Sequence, residues 1–208
     1  MSIQRSEEIP GASVHVGVSV NQVEAILTIW NEHLEVARLL PRLAGDVAAA
    51  VDLIAGSMGA GGTLMLAGNG GSAADAQHIA AELTGRFLKD RRALRAIALH
   101  ANGSALTAIG NDYGYENVFA RELSAHARQG DVLLAISTSG NSRNILRAIE
   151  TAREYGVLVI GMTGEAGGRM RDLCDLCLCA PSDRTARIQE MHITIGHTLC
   201  ELLEERLC

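Results

Sequence analysis

The chain has 208 residues, of which 48% are hydrophobic and 20% charged, enough for one globular domain with a sizeable core. Its formal net charge of −6 offers no basic footprint, so nucleic-acid binding is not expected. The apolar runs are far shorter than the roughly 20 residues that a membrane span needs, which predicts a cytoplasmic protein with no membrane contact. Its five cysteines, an odd count, favour reduced thiols over a disulfide framework.

The N-terminal region divides into an extension and two helices. Residues 1–18 show no sustained period and are predicted to form a disordered extension, to which no function is assigned. Apolar residues fall at helical spacing over 20–40, and Pro41 separates them from a second such stripe over 43–54. The first stripe includes Trp30, so this helix either packs only on its own sheet or forms a contact between subunits.

The first strand leads directly into a glycine turn and a helix. Residues 63–67 have the length and apolarity of a buried strand, and the alanine-rich stretch 73–82 favours a helix with Ser72 as its N-cap. The turn between them is Gly68-Asn69-Gly70-Gly71-Ser72. Glycines allow an anion to approach free backbone N–H groups at the positive end of a helix dipole. This turn is therefore a candidate anion site.

The helix after this turn carries a histidine and a carboxylate on one face. His78 and Glu82 are four residues apart, a spacing at which a nitrogen and an oxygen can hold one metal ion or move one proton. The turn also fits the dinucleotide pattern G-x-G-x-x-A at Gly68, Gly70 and Ala73. No acidic residue follows the second strand to bind a ribose hydroxyl, so a nucleotide cofactor is not expected.

Strands and helices alternate along the rest of the chain. Further strands are predicted at 96–99, 132–136, 157–161 and 176–179, and further helices at 104–109, 116–127, 143–155 and 185–207. The alternation predicts one α/β domain over 19–208, with a five-stranded parallel sheet flanked by helices and preceded by the N-terminal helical pair. Ligands of such sheets bind beyond the carboxyl ends of the strands.

A second polar loop follows the strand at 132–136. It contains four hydroxyl side chains, Ser137, Thr138, Ser139 and Ser142, just before a predicted helix. Hydroxyls beside free helix N–H groups suit a phosphate monoester, although a simple helix cap and turn remains an alternative. No Gly-Lys-Ser/Thr occurs, which disfavours nucleoside triphosphate chemistry.

The C-terminal helix places polar residues among apolar ones. Gln189, His192 and His197 lie there, and each histidine is either a buried core residue or a ligand. Spacing alone leaves open whether His197 meets His78. The acidic residues at the end of this helix, Glu204 among them, are interpreted as a solvated helix end.

Three cysteines, Cys174, Cys177 and Cys179, lie in or next to the last predicted strand. No second cysteine pair follows at the spacing of a zinc site. They are therefore interpreted as buried strand thiols rather than as a metal knuckle.

Six segments together resemble the phosphoheptose isomerase family, which belongs to the sugar isomerase (SIS) domain group. They are Gly68-Asn69-Gly70-Gly71-Ser72, His78-x3-Glu82-Leu83-Thr84-Gly85-Arg86, Ala108-Ile109-Gly110-Asn111-Asp112-Tyr113-Gly114, Gly130-Asp131-Val132-Leu133-Leu134, Ser137-Thr138-Ser139-Gly140-Asn141-Ser142 and Arg187-Ile188-Gln189-Glu190-x-His192. The resemblance covers about residues 20 to 207, and the segments follow the family's order and spacing.

The resemblance implies a homotetramer with active sites at subunit interfaces and a phosphorylated seven-carbon sugar as substrate. The implied reaction interconverts sedoheptulose 7-phosphate and D-glycero-D-manno-heptose 7-phosphate through an enediol, with Glu82 as general base and His197 as its acid/base partner. One Zn²⁺ per subunit is implied, with His78, Glu82, Gln189 and His197 as ligands. The implied substrate-binding positions are Asn69, Gly70, Gly71, Ser72, Glu82, Asn111, Asp112, Ser137, Thr138, Ser139, Ser142 and Gln189.

A non-enzymatic relative is the alternative. Residues 185–192 also resemble a tetrameric SIS protein that associates with the bacterial replication initiator DnaA, a group that lacks counterparts of Glu82 and His197. Both are present in this chain, which favours the enzyme. Some family members carry acidic residues at the positions of Ala101 and Ala186, so the sugar specificity stays open.

Overall fold

The structure is a computed structural model that describes residues 20–208. The predicted extension at 1–18 lies outside the described residues. The helices are α1 Val20–Ala37, α2 Ala44–Gly59, α3 Gly71–Thr84, α4 Gly103–Tyr113, α5 Val118–His126, α6 Arg143–Glu154, α7 Met170–Leu173 and α8 Thr185–Leu207. The strands are β1 Leu64–Gly68, β2 Ala96–Ala98, β3 Val132–Ile136, β4 Leu158–Thr163 and β5 Leu176–Cys179. Short 3₁₀ turns at Leu40–Leu43 and Tyr115–Asn117 precede α2 and α5.

The strands form one parallel sheet in the order β2-β1-β3-β4-β5. The predicted α/β class and five-stranded parallel sheet are therefore confirmed. β3 and β5 have the predicted bounds, whereas the ends of the other strands differ by one or two residues. None of the helices within residues 20–208 combines the length and the apolarity needed to cross a bilayer.

Helices cover both faces of the sheet because successive strand residues point to opposite sides. Leu64 and Leu134 pack with α2, α3 and α8 on one face. Met65 and Leu133 pack with α5 and α6 on the other. β1 and β3 are buried along their whole length, which explains why they are continuous apolar runs.

A glycine allows α8 to pack closely against α3. A Cβ at Gly196 would lie only 2.6 Å from Cδ1 of Ile79, so any larger residue there would displace the buried Ile79 side chain or the helix that carries it. Gly196 directly precedes His197, and Ile79 directly follows His78. The close contact therefore sets how the two histidines face each other.

Helix α1 contacts the domain mainly through polar tethers to α8. His33 Nδ1 lies 2.7 Å from Glu190 Oε2, and Arg187 Nη1 donates to the Ile29 carbonyl at 2.8 Å. No residue of α1 is buried, and Trp30 is 63% exposed. The apolar stripe of α1 thus stays exposed as far as Leu34, whereas Val36 and Ala37 at its end pack partly against the cluster formed by Ala180, Ile188 and Met191.

The C-terminal end of α8 holds a buried carboxylate, so the interpretation of Glu204 as solvated was wrong. Its oxygens accept the backbone N–H groups of Phe87, Leu88 and Lys89 at 2.8–2.9 Å. Arg91 Nε donates to it at 3.0 Å, and both side chains of this Arg91–Glu204 clamp are almost fully buried. The clamp fastens the loop after α3 onto α8.

His192 gives the fold a titratable group that is buried in its neutral form. Its Nε2 lies 3.0 Å from the Thr163 carbonyl, and burial lowers its pKa to about 4 from the ordinary histidine value of 6.5. Below pH 6.5 the imidazole takes up a proton in the unfolded chain but stays neutral in the folded protein. The free energy of unfolding should therefore fall as the pH drops from 6.5 toward 4.

In His192→Gln, the amide can still donate to the Thr163 carbonyl. We expect the slope of the unfolding free energy against pH to decrease by the contribution of about one bound proton. Denaturant unfolding at a series of pH values measures the slope. Replacement of the exposed His126 on α5 with Gln is the control. An unchanged slope for His192→Gln would contradict the assignment.

Candidate active site

The glycine turn between β1 and α3 forms one side of the site. The N-cap of α3 is Gly70, with a φ of 56°, a conformation that favours glycine. Ser72 is buried in the first turn of the helix and makes no cap, so its predicted capping role was wrong. A Cβ at Gly71 would lie 2.4 Å from Gln189 Nε2, so the turn also lets α8 approach.

The hydroxyl-rich loop between β3 and α6 forms the opposite side. Ser137 Oγ lies 2.9 Å from Ser142 Oγ and 3.5 Å from Ser139 Oγ. The Thr138 carbonyl accepts from the Gly164 N–H at 2.9 Å, which anchors the loop to the end of β4. Ser142 is the N-cap of α6, yet its side chain makes no cap hydrogen bond. The hydroxyls therefore converge where free N–H groups begin a helix, an arrangement that suits a phosphate.

Two asparagines join these loops. Asn69 Nδ2 donates to Asn144 Oδ1 at 2.9 Å, and Asn144 Nδ2 donates back to Asn69 Oδ1 at 2.8 Å. The Tyr115 hydroxyl also donates to Asn69 Oδ1, at 3.2 Å. Sequence reasoning missed Asn144, although its place in the first turn of α6 directly after the hydroxyl loop was a usable signal.

The predicted pair at the end of α4 lies beside this junction. Asn111 Nδ2 donates to Asp112 Oδ1 at 2.7 Å, and both residues are exposed. They precede the short turn that carries Tyr115. Their side chains are therefore held to each other and are open to solvent, and the structure of residues 20–208 shows no contact from them to the two loops.

An acid–base group lies on α3 and α8. His78 Nε2 is 3.0 Å from His197 Nε2 and 3.4 Å from Glu82 Oε1. The Phe87 ring packs against His197 with centroids 5.5 Å apart. Two imidazoles and a carboxylate in one polar chain can pass a proton between them. The tertiary structure thus answers the question that spacing left open, since His197 meets His78.

Gln189 does not share this contact. It lies eight residues before His197 on α8, about 12 Å along the helix axis at 1.5 Å per residue. Its amide packs on Gly71 instead. Of the four residues predicted to bind zinc, the structure brings His78, Glu82 and His197 together and places Gln189 at the glycine turn.

A further carboxylate near the group has a perturbed acidity. Burial raises the pKa of Asp75, against the opposing effect of His78, one helical turn further along α3. Among the described residues, Asp75 Oδ2 is buried without a hydrogen-bond partner. Perturbed titratable groups concentrate at functional sites. The alanine-rich pattern of α3 gave no reason to select Asp75 from the sequence.

The donor chemistry of the acid–base group suits a zinc ion. Ligands of one tetrahedral zinc stand roughly 3.3 Å apart, and His78 lies at 3.0 and 3.4 Å from its two neighbours. Within residues 20–208, however, no three His, Cys, Asp or Glu side chains already converge on a single metal position. The side chains would have to rotate to share a zinc, which the partial exposure of all three permits.

Gly140 makes the tight turn of the hydroxyl loop possible. Its φ is +64°, and a Cβ there would lie 2.0 Å from the Gly167 carbonyl oxygen. We expect Gly140→Ala to raise KM for a phosphorylated substrate and to destabilise the fold by more than the roughly 1–2 kcal/mol of backbone strain alone. Gly61→Ala is the matched control, because Gly61 also has a positive φ but open space around it. Equal unfolding free energies for the two variants would contradict this prediction.

Comparisons with known proteins agree on one family. The SIS domain model matches residues 33–164. The phosphoheptose isomerase of Rhodospirillum rubrum is 59% identical over 162 residues, covering 78% of this chain and 86% of the relative. That of Campylobacter jejuni serotype O:6 is 52% identical over 176 residues, covering 85% and 95%.

Solved structures give the same result. The phosphoheptose isomerase of Neisseria gonorrhoeae superposes with a TM-score of 0.84 at 40% identity, covering 88% of this chain and 99% of the other. That of Francisella tularensis superposes with a TM-score of 0.86 at 34% identity, covering 88% and 98%. The match extends over 86% to 99% of the length of these relatives. The chain therefore belongs to the phosphoheptose isomerase family of SIS-domain proteins.

Proposed function

We propose that this protein interconverts sedoheptulose 7-phosphate and D-glycero-D-manno-heptose 7-phosphate through an enediol. The observation that carries the proposal is the acid–base group, in which His78 joins His197 at 3.0 Å and Glu82 at 3.4 Å. An aldose–ketose isomerisation needs a proton removed from one carbon and returned to its neighbour, and these groups supply such transfers. Family membership supports the reaction class.

The two loops would bind the phosphosugar. Ser137, Thr138, Ser139 and Ser142, with the N–H groups at the start of α6, would bind the phosphate, and its negative charge favours the positive end of the helix dipole. Asn69, held by Asn144, would orient sugar hydroxyls together with the turn at Gly70, Gly71 and Ser72. Asn111, Asp112 and Gln189 would complete the sugar contacts.

Proton transfer would involve two of the residues. Glu82 takes a proton from C1 of the open-chain ketose as the C1–C2 double bond forms, and His197 donates one to the oxygen on C2. Glu82 then returns its proton to C2, while His197, now deprotonated, takes the proton of the C1 hydroxyl, which becomes the aldehyde. His78, between the two, holds their relative positions through its contacts.

We also propose one Zn²⁺ per subunit, held by His78, Glu82 and His197; Gln189, the fourth ligand expected from the sequence, packs on Gly71 and does not reach these three residues within the subunit. When bound, zinc would supply Lewis-acid polarisation of the substrate oxygens. Support comes from the donor types and the separations around His78.

A homotetramer with active sites at subunit interfaces is part of the proposal. The uncovered apolar stripe of α1, with Trp30 at its centre, supports burial against another subunit. A cytoplasmic location is proposed as well, supported by five cysteines that are all free.

The test is to incubate the protein with sedoheptulose 7-phosphate and to follow the new aldose by NMR. Formation of the heptose 7-phosphate supports the proposal, and a chelated sample re-supplied with zinc tests the metal. No turnover by folded, zinc-supplied protein would refute the reaction. Pull-down with DnaA would then test the alternative of a non-enzymatic binding protein.

A further inference from the structure

A second cluster of reactive side chains lies at the edge of the sheet. Cys177 and Cys179 lie on the edge strand β5, and Cys174 lies between α7 and β5. Cys179 Sγ is 3.8 Å from Cys177 Sγ. All three thiols are free and partly exposed, and none belongs to the acid–base group.

A glycine on the neighbouring strand creates the space in which two of these thiols meet. A Cβ at Gly161 of β4 would lie 2.8 Å from Cys174 Sγ and 3.2 Å from Cys177 Sγ. Both sulfur atoms therefore occupy the position that a side chain would otherwise fill. They lie in mutual contact over the backbone of Gly161.

The surroundings favour a thiolate at Cys177. The hydrogen bond with Cys174 lowers the pKa of the Cys177 thiol below its ordinary value; hydrogen bonds from Thr163 and Cys179 and the charge of Arg171 act in the same direction, against the effect of burial. The same pairing raises the pKa of Cys174. Because the thiolate is the nucleophile, Cys177 is expected to react first. Cys174 then reacts with the oxidised Cys177.

We propose that Cys174 and Cys177 form a reversible dithiol–disulfide pair that reacts with hydroperoxides. The Cys177 thiolate attacks a peroxide oxygen, the O–O bond breaks, and the hydroxide that leaves takes up a proton to give water. Cys177 is then a sulfenic acid. Cys174 loses its proton and attacks this sulfur, the S–S bond forms, and a second water leaves. The two thiols lose two electrons, and the peroxide gains them.

Strand geometry selects Cys174 over Cys179 as the second thiol. Cys177 and Cys179 are two residues apart on one strand, so their Cα atoms stand about 6.6 Å apart, near the upper limit for a disulfide. Cys174 precedes the strand at the end of α7, so its Cα is not held at the two-residue spacing of β5.

A single peptide tests the proposal, because trypsin cleaves after Arg171 and Arg184 and leaves the three thiols together. The native protein is treated with hydrogen peroxide, unfolded, alkylated and digested. We expect a 172–184 peptide that carries one alkyl group, on Cys179, and is otherwise about 2 Da lighter through loss of two hydrogens. Dithiothreitol before alkylation should restore three alkyl groups.

Internal and variant controls make the result specific. Cys200, whose pKa burial raises to about 12, should stay fully alkylated in the same digest. In Cys174→Ser, Cys177 should accumulate as sulfenic acid, which dimedone traps, with no disulfide within the peptide. Three alkyl groups in the peroxide-treated wild type, or a disulfide between Cys177 and Cys179, would overturn the proposal.

Discussion

Replacement of Glu82 with Gln is expected to lower kcat for sedoheptulose 7-phosphate by about 10²–10⁴-fold, the typical contribution of a positioned general base. The amide keeps the size of the side chain but cannot accept a proton from carbon. KM should change much less, because the proposed phosphate contacts lie on the other loop. Steady-state kinetics by NMR and the zinc content of each variant separate loss of the base from loss of the metal.

The chain offers a matched control for this variant. Glu122 and His126 on α5 repeat the same four-residue spacing, with Glu122 Oε2 3.5 Å from His126 Nε2. Glu122→Gln should leave kcat unchanged. A Glu82→Gln enzyme with near wild-type kcat, or an equal loss in Glu122→Gln, would contradict the role of Glu82.

If Glu82 and His197 act as one unit, their losses will not add. The double variant Glu82→Gln, His197→Asn should be about as slow as the slower single variant, because removal of either group already prevents the coupled transfers. Additive losses would indicate that the two residues act independently.

Glu204→Gln is expected to destabilise the fold by about 3–5 kcal/mol, the cost of leaving a buried charge without its partner. For a chain of this size the midpoint of thermal unfolding should fall by about 10 °C. Arg91 would lose its carboxylate while still binding the Glu82 and Leu83 carbonyls, and the amide nitrogen of Gln would face backbone N–H donors. Glu205→Gln, on the exposed face of α8, is the control.

The same clamp predicts a pH dependence. Burial alone would raise the pKa of Glu204, but the N–H groups of Phe87, Lys89 and Leu88 and the charge of Arg91 lower it to about 2 from the ordinary glutamate value of 4.5. The stabilisation is therefore fully present above pH 4.5 and is lost as the pH falls toward 2. The stability difference between wild type and Glu204→Gln should shrink between pH 7 and pH 3. A constant difference would mean that the carboxylate charge is not what stabilises the loop.

Features that depend on short stretches of chain were predictable. β3 and β5 were predicted with their observed bounds because both are continuous apolar runs, although only β3 is buried along its whole length. The common face of His78 and Glu82 follows from the helical period alone. Both loops were predicted because glycines and hydroxyls directly follow buried strands.

Features that join distant parts of the chain could not be predicted from the sequence. Ser72 is a residue type that favours the N-cap position. The glycine turn ends at Gly70, however, so Gly70 is the N-cap and the helix begins two residues earlier than expected. Asn144 is an ordinary polar residue until the sheet brings it to Asn69, 75 residues away. Glu204 looked exposed because the backbone N–H groups that bind it lie more than 100 residues earlier.

The sequence by itself therefore determined the fold class, the two loops at the ends of β1 and β3, and the residue types available for catalysis. Local period, apolar runs and turn residues carry that information. Only the tertiary structure decided that His197 meets His78, that Gln189 contacts Gly71, and that two cysteines share the space over Gly161. Each of these contacts lies beside a glycine whose missing side chain leaves room for the neighbouring element. Which element fills that room depends on the packing of distant segments, so the local sequence does not predict it.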